Sequence, residues 1–326
     1  MLNTFSQFLK DSGLKNWLPY KLVKESSAPT CEWLYVGEEP FLEPVFDQTI
    51  NLRKHLPENR DRQEHVTSVS ALFEWSQKIE AAEVAGFIFH ISRCGSTMVS
   101  QLLSLRREHV VLPEVPFFDE VLRMPQTNGF ENASLFKAAL KIYSQKRTGF
   151  EKKVFIKTDS WHIMFHKEIR EQFPGVPFFL LYRTPAEVIS SLNKAVGMHC
   201  VPQLIDPKFF GIEEKVVTIQ DFYDYPIRVI EKYMETYIAV AETDPNFFLI
   251  NYSQGMLPII EKIDNAVGIR FTESEFARMK ERLRFHSKHP QIFFLEEPAS
   301  RTIDEKFSRV SELYNRIEAV RARSGA

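Results

Sequence analysis

The chain has 326 residues, 44% of them hydrophobic and 26% charged, a mix that suits one large α/β domain or two modest ones. With 41 basic against 43 acidic residues the net charge is −2, so no basic excess marks a nucleic-acid surface. Cys31, Cys94 and Cys200 lie far apart, which argues against a disulfide framework and against zinc-ligand spacing. No apolar run approaches the ~20 residues of a membrane span, and the first 20 residues lack the apolar core of a signal peptide. The expected compartment is the cytoplasm.

In chain order, residues 1–80 read as irregular strands and loops, closing with a helix from about Ser68 to Ala82 that carries Leu72, Trp75 and Ile79 on one face. From residue 84 strands and helices alternate. Val84–Ile91 is a continuous apolar run, as a fully buried strand requires. Ser96–Leu105 then places Met98, Val99, Leu102 and Leu103 at helical spacing. Further strands are expected at His109–Leu112, Lys153–Ile156, Val176–Tyr182 and Phe247–Asn251, with a long helix from Ile219 to Glu242. Helices between strands imply a three-layer α/β/α arrangement with a mostly parallel five-stranded sheet. In such sheets ligands bind beyond the carboxyl ends of the strands. We expect residues 1–83 to form an extension packed on the core and capping an acceptor pocket, and residues 84–326 to form one compact unit.

The segment Ser92-Arg93-Cys94-Gly95-Ser96-Thr97 joins the first of these strands to a helix. A turn at a helix start presents unpaired N–H groups and the positive end of the helix dipole to an anion. Gly95 permits close backbone approach, Ser96 and Thr97 add hydroxyl donors, and Arg93 adds a permanent charge. The loop lacks the length and lysine of a Walker A sequence. It resembles the phosphosulfate-binding loop of the P-loop sulfotransferases, in which Lys or Arg is followed by Ser, Gly, Thr and Thr; here Cys94 stands for the serine and Ser96 for a threonine.

A second junction follows the strand ending at Tyr182. Thr184 is a natural N-cap, Pro185 suits the first helical position, and Glu187 is placed to complete a capping box. Arg183 ends the strand, and Ser191 lies eight residues on, about two turns into the helix. Sulfotransferases hold the 3′-phosphate of 3′-phosphoadenosine 5′-phosphosulfate (PAPS) with an Arg and a Ser at this spacing. The resemblance spans roughly residues 84–295 and implies PAPS as cosubstrate, with no metal. It also implies softer contacts from Tyr252, in the stretch near the nucleotide, and from Lys288, in a basic loop on the 3′-phosphate.

Sulfuryl transfer needs a base for the acceptor proton and positive charge at the leaving phosphate oxygen. Arg93 suits the second role, and Lys157 can share it. Two acids compete for the first. Glu114 follows the second strand at an interval from Arg93 similar to that of the catalytic glutamate in tyrosylprotein sulfotransferases. Asp159 follows the third strand in Lys157-Thr158-Asp159, where many cytosolic sulfotransferases carry a histidine. Glu114 is preferred, standing between apolar strand residues and Pro116-Phe117-Phe118. His162, His199 and Cys200 share no ligand spacing and read as core or surface residues.

These readings imply a sulfotransferase acting on a hydroxyl or amine of a small-molecule acceptor, without nucleic-acid or membrane partners. The alternatives are a nucleotide-kinase-like P-loop enzyme and a non-catalytic nucleotide-binding protein of the same fold. The sequence names neither the acceptor nor the oligomeric state.

Overall fold

The computed structural model describes residues 5–6, 8–9, 13–23, 29–125, 131–212, 219–295 and 308–324. Its strands are β1 (Trp17–Val23), β2 (Thr30–Tyr35), β3 (Val66–Ser68), β4 (Glu83–His90), β5 (His109–Pro113), β6 (Lys153–Lys157), β7 (Phe178–Tyr182) and β8 (Phe247–Asn251). The helices relevant below are α1 (Phe46–Arg53), α2 (Ser70–Ser76), α3 (Ser96–Leu103), α4 (Pro116–Leu122), α5 (Asn132–Tyr143), α6 (His166–Gln172), α7 (Pro185–Lys194), α8 (Ile219–Ala241), α9 (Met256–Val267), α10 (Glu273–Arg282) and α11 (Ser308–Ser324). The protein is α/β: β4 to β8 form a five-stranded sheet in the order β5-β6-β4-β7-β8, flanked by helices. The β5/β6, β4/β7 and β7/β8 pairs are parallel. None of the described helices is long and apolar enough to cross a membrane.

Packing groups the chain into two compact units. The first unit takes residues 1–85, 100–157 and 168–174; the second takes 86–99, 158–167 and 175–326.

In the first unit, the strands expected to be irregular, β1, β2 and β3, form an antiparallel sheet. Its register shifts between Pro19 and Lys21, which breaks the period-2 pattern that would have announced it. The hairpin is bound to later segments of the same unit. Gln145 accepts the Asn16 N–H at 2.6 Å and donates to the Trp17 carbonyl at 3.1 Å. The Tyr143 hydroxyl donates to the Pro19 carbonyl, and Glu120 accepts the Leu22 N–H at 2.5 Å. Phe118 packs edge-on against Phe136 and Tyr143 at 5.1 and 4.8 Å. Helix α2 is shorter than its apolar spacing predicts. It stops at Ser76, and the chain then extends so that Ala82 donates to the Ser144 carbonyl. Leu72 and Trp75 are buried, and Ile79 lies beyond the helix.

In the second unit the core is aromatic. Phe87 and Phe89 of β4 pack on Phe178 of β7 at 5.5 and 5.0 Å. Each ring fully removed from water stabilises the fold by roughly 1.5–3 kcal/mol. Gly86 is needed beside them, because a Cβ there would stand 2.6 Å from the Phe179 ring. Helix α11, which carried no motif, packs on α8 and buries Val310, Leu313 and Ile317. His199, Cys200 and His162 are core residues.

Candidate functional site

The loop after β4 has unusual backbone geometry. Ser92, Arg93 and Gly95 all have positive φ, at 69°, 52° and 80°. L-residues avoid this region unless the surroundings hold them there. Part of the restraint comes from His90, which the sequence reading passed over. Its buried ring accepts the Ser92 N–H on Nδ1 at 3.1 Å, so Nε2 carries the proton and donates to the Thr158 carbonyl at 3.0 Å. A strand-terminal histidine therefore props the loop from below. Cys94 is turned inward, fully buried, with its thiol donating to the Leu181 carbonyl at 3.4 Å. Only its backbone belongs to the loop's surface. Helix α3 starts at once with Ser96, buried, and Thr97, half-buried, and the Met98 and Val99 N–H groups both donate to the Gly95 carbonyl, at 3.0 and 3.2 Å.

Three residues from separate segments meet around this loop. A Cβ on Gly95 would lie 2.5 Å from both the Tyr252 ring and the Met256 methyl, so only glycine lets that ring lie against the loop. Tyr252 opens the short helical turn after β8, which Asn251 caps by accepting the Ser253 N–H at 2.9 Å. The Arg183 guanidinium lies 4.3 Å from the centroid of the same ring, a cation–π contact. Arg93 donates to the carbonyl of Ala195 at 2.6 Å, the residue capping the helix of Ser191. Of the sequence-predicted residues, Gly95, Tyr252 and Arg183 are thus linked through the Tyr252 ring, while Arg93 tethers the helix on which half-buried Ser191 stands.

The start of α7 differs from expectation. Thr184 is the N-cap and Pro185 occupies the first turn, but the capping box does not form. The Glu187 carboxylate instead accepts the Thr184 hydroxyl on one oxygen and Arg183 Nη2, at 2.8 Å, on the other. A positive charge adjacent to the cap outcompetes the neutral backbone N–H for that carboxylate.

The strand ends bearing Arg183 and Tyr252 are fastened by α11, a role without a sequence signal. Glu318 accepts from the Tyr182 hydroxyl, from Asn251 at 2.9 Å and from Arg321 at 2.6 Å. Asn251 also donates to the Tyr314 hydroxyl at 2.8 Å. Burial alone would raise the Glu318 carboxyl, yet these hydrogen bonds hold it below the usual carboxylate range. Burial and the neighbouring carboxylate together push the Tyr182 phenol up.

Lys288 is exposed in a loop that Arg282 ties down by donating to the carbonyls of Phe285, His286 and Ser287 at 3.1–3.2 Å. Asp159 stands just before the short helix Ser160–Phe165 without a side-chain capping bond, its Oδ2 3.7 Å from Nε2 of buried His162.

The first unit holds the other predicted pair. Glu114 follows β5 with φ 52°, and its N–H donates to the Lys157 carbonyl at 2.7 Å, extending the β5/β6 ladder by one bond. A non-glycine residue held in this region is a sign of a constrained, site-like position. The Lys157 ammonium, on a side chain only 1% exposed, donates to a Glu114 oxygen, while the Glu114 side chain keeps 25% of its exposure. A buried ammonium requires such an anion. Phe117 and Phe118, expected beside Glu114, are buried, and Phe118 packs on α5. Asp47, at the start of α1, is a further acid that the sequence reading missed. Burial raises its carboxyl, Lys54 opposes the rise, and the charge of Glu114 adds to it.

No protein-family model matches this sequence, and no curated protein matches it. Among solved structures, a sulfotransferase from Mycobacterium avium is similar at 12% identity and a TM-score of 0.46, over 85% of this chain and 82% of that one. A sulfotransferase from Mycobacterium tuberculosis is similar at 13% identity and a TM-score of 0.42, over 65% of this chain and 75% of that one. A mouse sulfotransferase complexed with PAP is similar at 14% identity and a TM-score of 0.35, over 77% of this chain and 86% of that one. All three are sulfotransferases.

Proposed function

We propose that the protein is a PAPS-dependent sulfotransferase acting on a hydroxyl or amine of a small-molecule acceptor. The observation that carries this reading is the contact of Gly95, Tyr252 and Arg183 in one unit: an anion-ready loop, an aromatic face and a guanidinium, from three strand ends. A nucleotide phosphorylated at both 5′ and 3′ positions would use all of them. The backbone of residues 92–97 and the dipole of α3 would hold the 5′-phosphosulfate, Tyr252 would lie against the adenosine, and Arg183 with Ser191 would hold the 3′-phosphate. Lys288 would add charge to that last contact from its exposed loop.

In the reaction the acceptor oxygen attacks sulfur in line. Its bond to sulfur forms as the bridging bond to phosphate breaks, and the phosphate oxygen leaves with the electron pair. Arg93 and the first-turn N–H groups of α3 meet that developing charge. Glu114 takes the acceptor proton, and Lys157, bonded to it, keeps the carboxylate oriented. Asp159 is the other acid in contention, with Oδ2 3.7 Å from Nε2 of buried His162; Glu114 is preferred because it combines a strained backbone with partial exposure. Residues 1–83 would shape the acceptor pocket, and Asp47 among them lies close enough to Glu114 to feel its charge. The reading places the enzyme in the cytoplasm.

The test is an untargeted screen of cell metabolites with sulfur-radiolabelled PAPS. We expect label to pass to at least one small acceptor, in the presence of EDTA as well as without it. A protein that transfers phosphate from ATP with Mg²⁺, and no sulfur label, is a kinase-like enzyme. One that binds the nucleotide and transfers nothing is a binding protein.

A further inference from the structure

We propose that Glu187 is a built-in counter-anion that competes with the nucleotide for Arg183 and thereby sets the affinity for 3′-phosphorylated ligands; the inference rests on the PAPS reading above. Its basis is where the Glu187 carboxylate goes. Three residues after an N-cap, a glutamate ordinarily reaches back to the cap N–H. Here it forgoes that bond and commits one oxygen to Arg183 Nη2 at 2.8 Å and the other to the Thr184 hydroxyl. The alternative was open to this chain, since Thr272 and Glu275 form a complete capping box at the start of α10.

Arg183 cannot readily carry its charge elsewhere. Its guanidinium is stacked 4.3 Å from the Tyr252 ring centroid, and that ring is wedged against Gly95. An arriving phosphate therefore finds a fixed fork with Nη2 already taken. Guanidinium forks bind phosphate through two parallel N–H bonds, so a full contact requires the carboxylate to leave. A dianionic phosphate and a carboxylate at the same donor also repel each other. Once Glu187 turns away, the Thr184 hydroxyl loses its acceptor and can donate to the phosphate. Both Arg183 and Glu187 keep partial exposure, 18% and 27%, so the displaced carboxylate has water to enter. Glu187 thus lowers the advantage of a 3′-phosphate, and product nucleotide is held less tightly than the loop and Arg183 alone would hold it.

The experiment is isothermal calorimetry of 3′,5′-diphosphoadenosine and of ADP with wild type, Glu187→Gln and Glu187→Ala, with thermal melts to show that each variant is folded. Glutamine keeps the side-chain length and an acceptor for Thr184 while removing the charge. We expect both variants to bind 3′,5′-diphosphoadenosine about tenfold more tightly, and ADP within about twofold of wild type, because ADP brings nothing to Arg183. Unchanged or weaker binding of 3′,5′-diphosphoadenosine overturns the inference and makes Glu187 a support for Arg183. Equal tightening for both nucleotides also overturns it, as a general effect of charge. If wild type itself does not prefer 3′,5′-diphosphoadenosine to ADP, the PAPS reading fails first, and the inference with it.

Discussion

The two units solve one electrostatic problem in opposite ways. In the second, Arg183 is half-buried, pairs with Glu187 in the helix that follows it and rests on an aromatic face. In the first, Lys157 is 1% exposed and donates to Glu114 from the neighbouring strand. Losing the anion has different consequences in the two places. Water can replace Glu187 at Arg183, but it cannot reach Lys157. One carboxylate is therefore displaceable by a ligand, while the other is needed by the fold as well as by the proposed chemistry.

The largest effect should follow from Glu114→Gln. Turnover should fall by ~10²–10⁴, the usual worth of a positioned general base. Stability should fall too, by up to about 3 kcal/mol, because a buried ammonium loses its anion. Adding Lys157→Met separates the two effects. Denaturant melts of the double variant should recover most of the lost stability while activity stays absent. Recovery of activity in the double variant would show that Glu114 serves only to neutralise Lys157. Asp159→Asn should lose far less turnover than Glu114→Gln.

Next in size is Arg183→Ala, which should weaken binding of 3′,5′-diphosphoadenosine ten- to a hundred-fold, roughly 1.5–3 kcal/mol. Binding of ADP should be nearly unaffected. Because Glu187 already takes part of the guanidinium's charge, the loss should sit at the lower end of that range. A much larger loss that included ADP would mean that Arg183 holds Tyr252 and the loop together, rather than a phosphate.

Gly95→Ala probes the loop on which this half of the comparison depends. The new methyl would meet Tyr252 and Met256 at 2.5 Å, on a backbone at φ 80°. The left-handed backbone alone costs an alanine roughly 1–2 kcal/mol. The melting temperature should drop, and nucleotide binding should fall with it as the ring is pushed off the loop.

Much of the second unit was legible in the sequence, and the reasons are physical. Strands β4, β7 and β8 are buried on both faces, so each reads as an unbroken apolar run, and their observed limits fall within two residues of expectation. The strand-to-helix loop after β4 and the Arg183–Ser191 spacing are local, so a few consecutive residues carry them. What escaped depends on partners distant in the chain. His90 looked like the end of a strand, yet it sets the geometry of the loop by bonding residues on either side of it in space. Glu187 looked like a cap residue, and only the adjacent Arg183 changes its allegiance. The antiparallel β1–β3 sheet was obscured by a register shift at Pro19, and its attachment to residues 120–147 has no local signature. Glu114 and Lys157 were both named, but the ion pair between them follows only from the β5/β6 register.

The smallest expected effect concerns the α11 strut. Because hydrogen bonds hold the Glu318 carboxyl below the ordinary range, its contribution is present in full above the unfolded-state value of ~4.3. It is lost as pH falls through the lower folded-state value. Glu318→Gln should lower the melting temperature at pH 7 by on the order of 2 °C. The gap from wild type should close below about pH 4. A gap independent of pH would mean that the contribution is packing rather than charge.

The central claim is that the second unit is built for a nucleotide carrying phosphate at both ends of its ribose. The direct measurement is calorimetric titration of wild-type protein with 3′,5′-diphosphoadenosine, ADP and ATP in EDTA. The account predicts that 3′,5′-diphosphoadenosine binds at least tenfold more tightly than either of the others, with no need for a divalent ion. Preference for ATP, or binding that appears only when Mg²⁺ is restored, would contradict it.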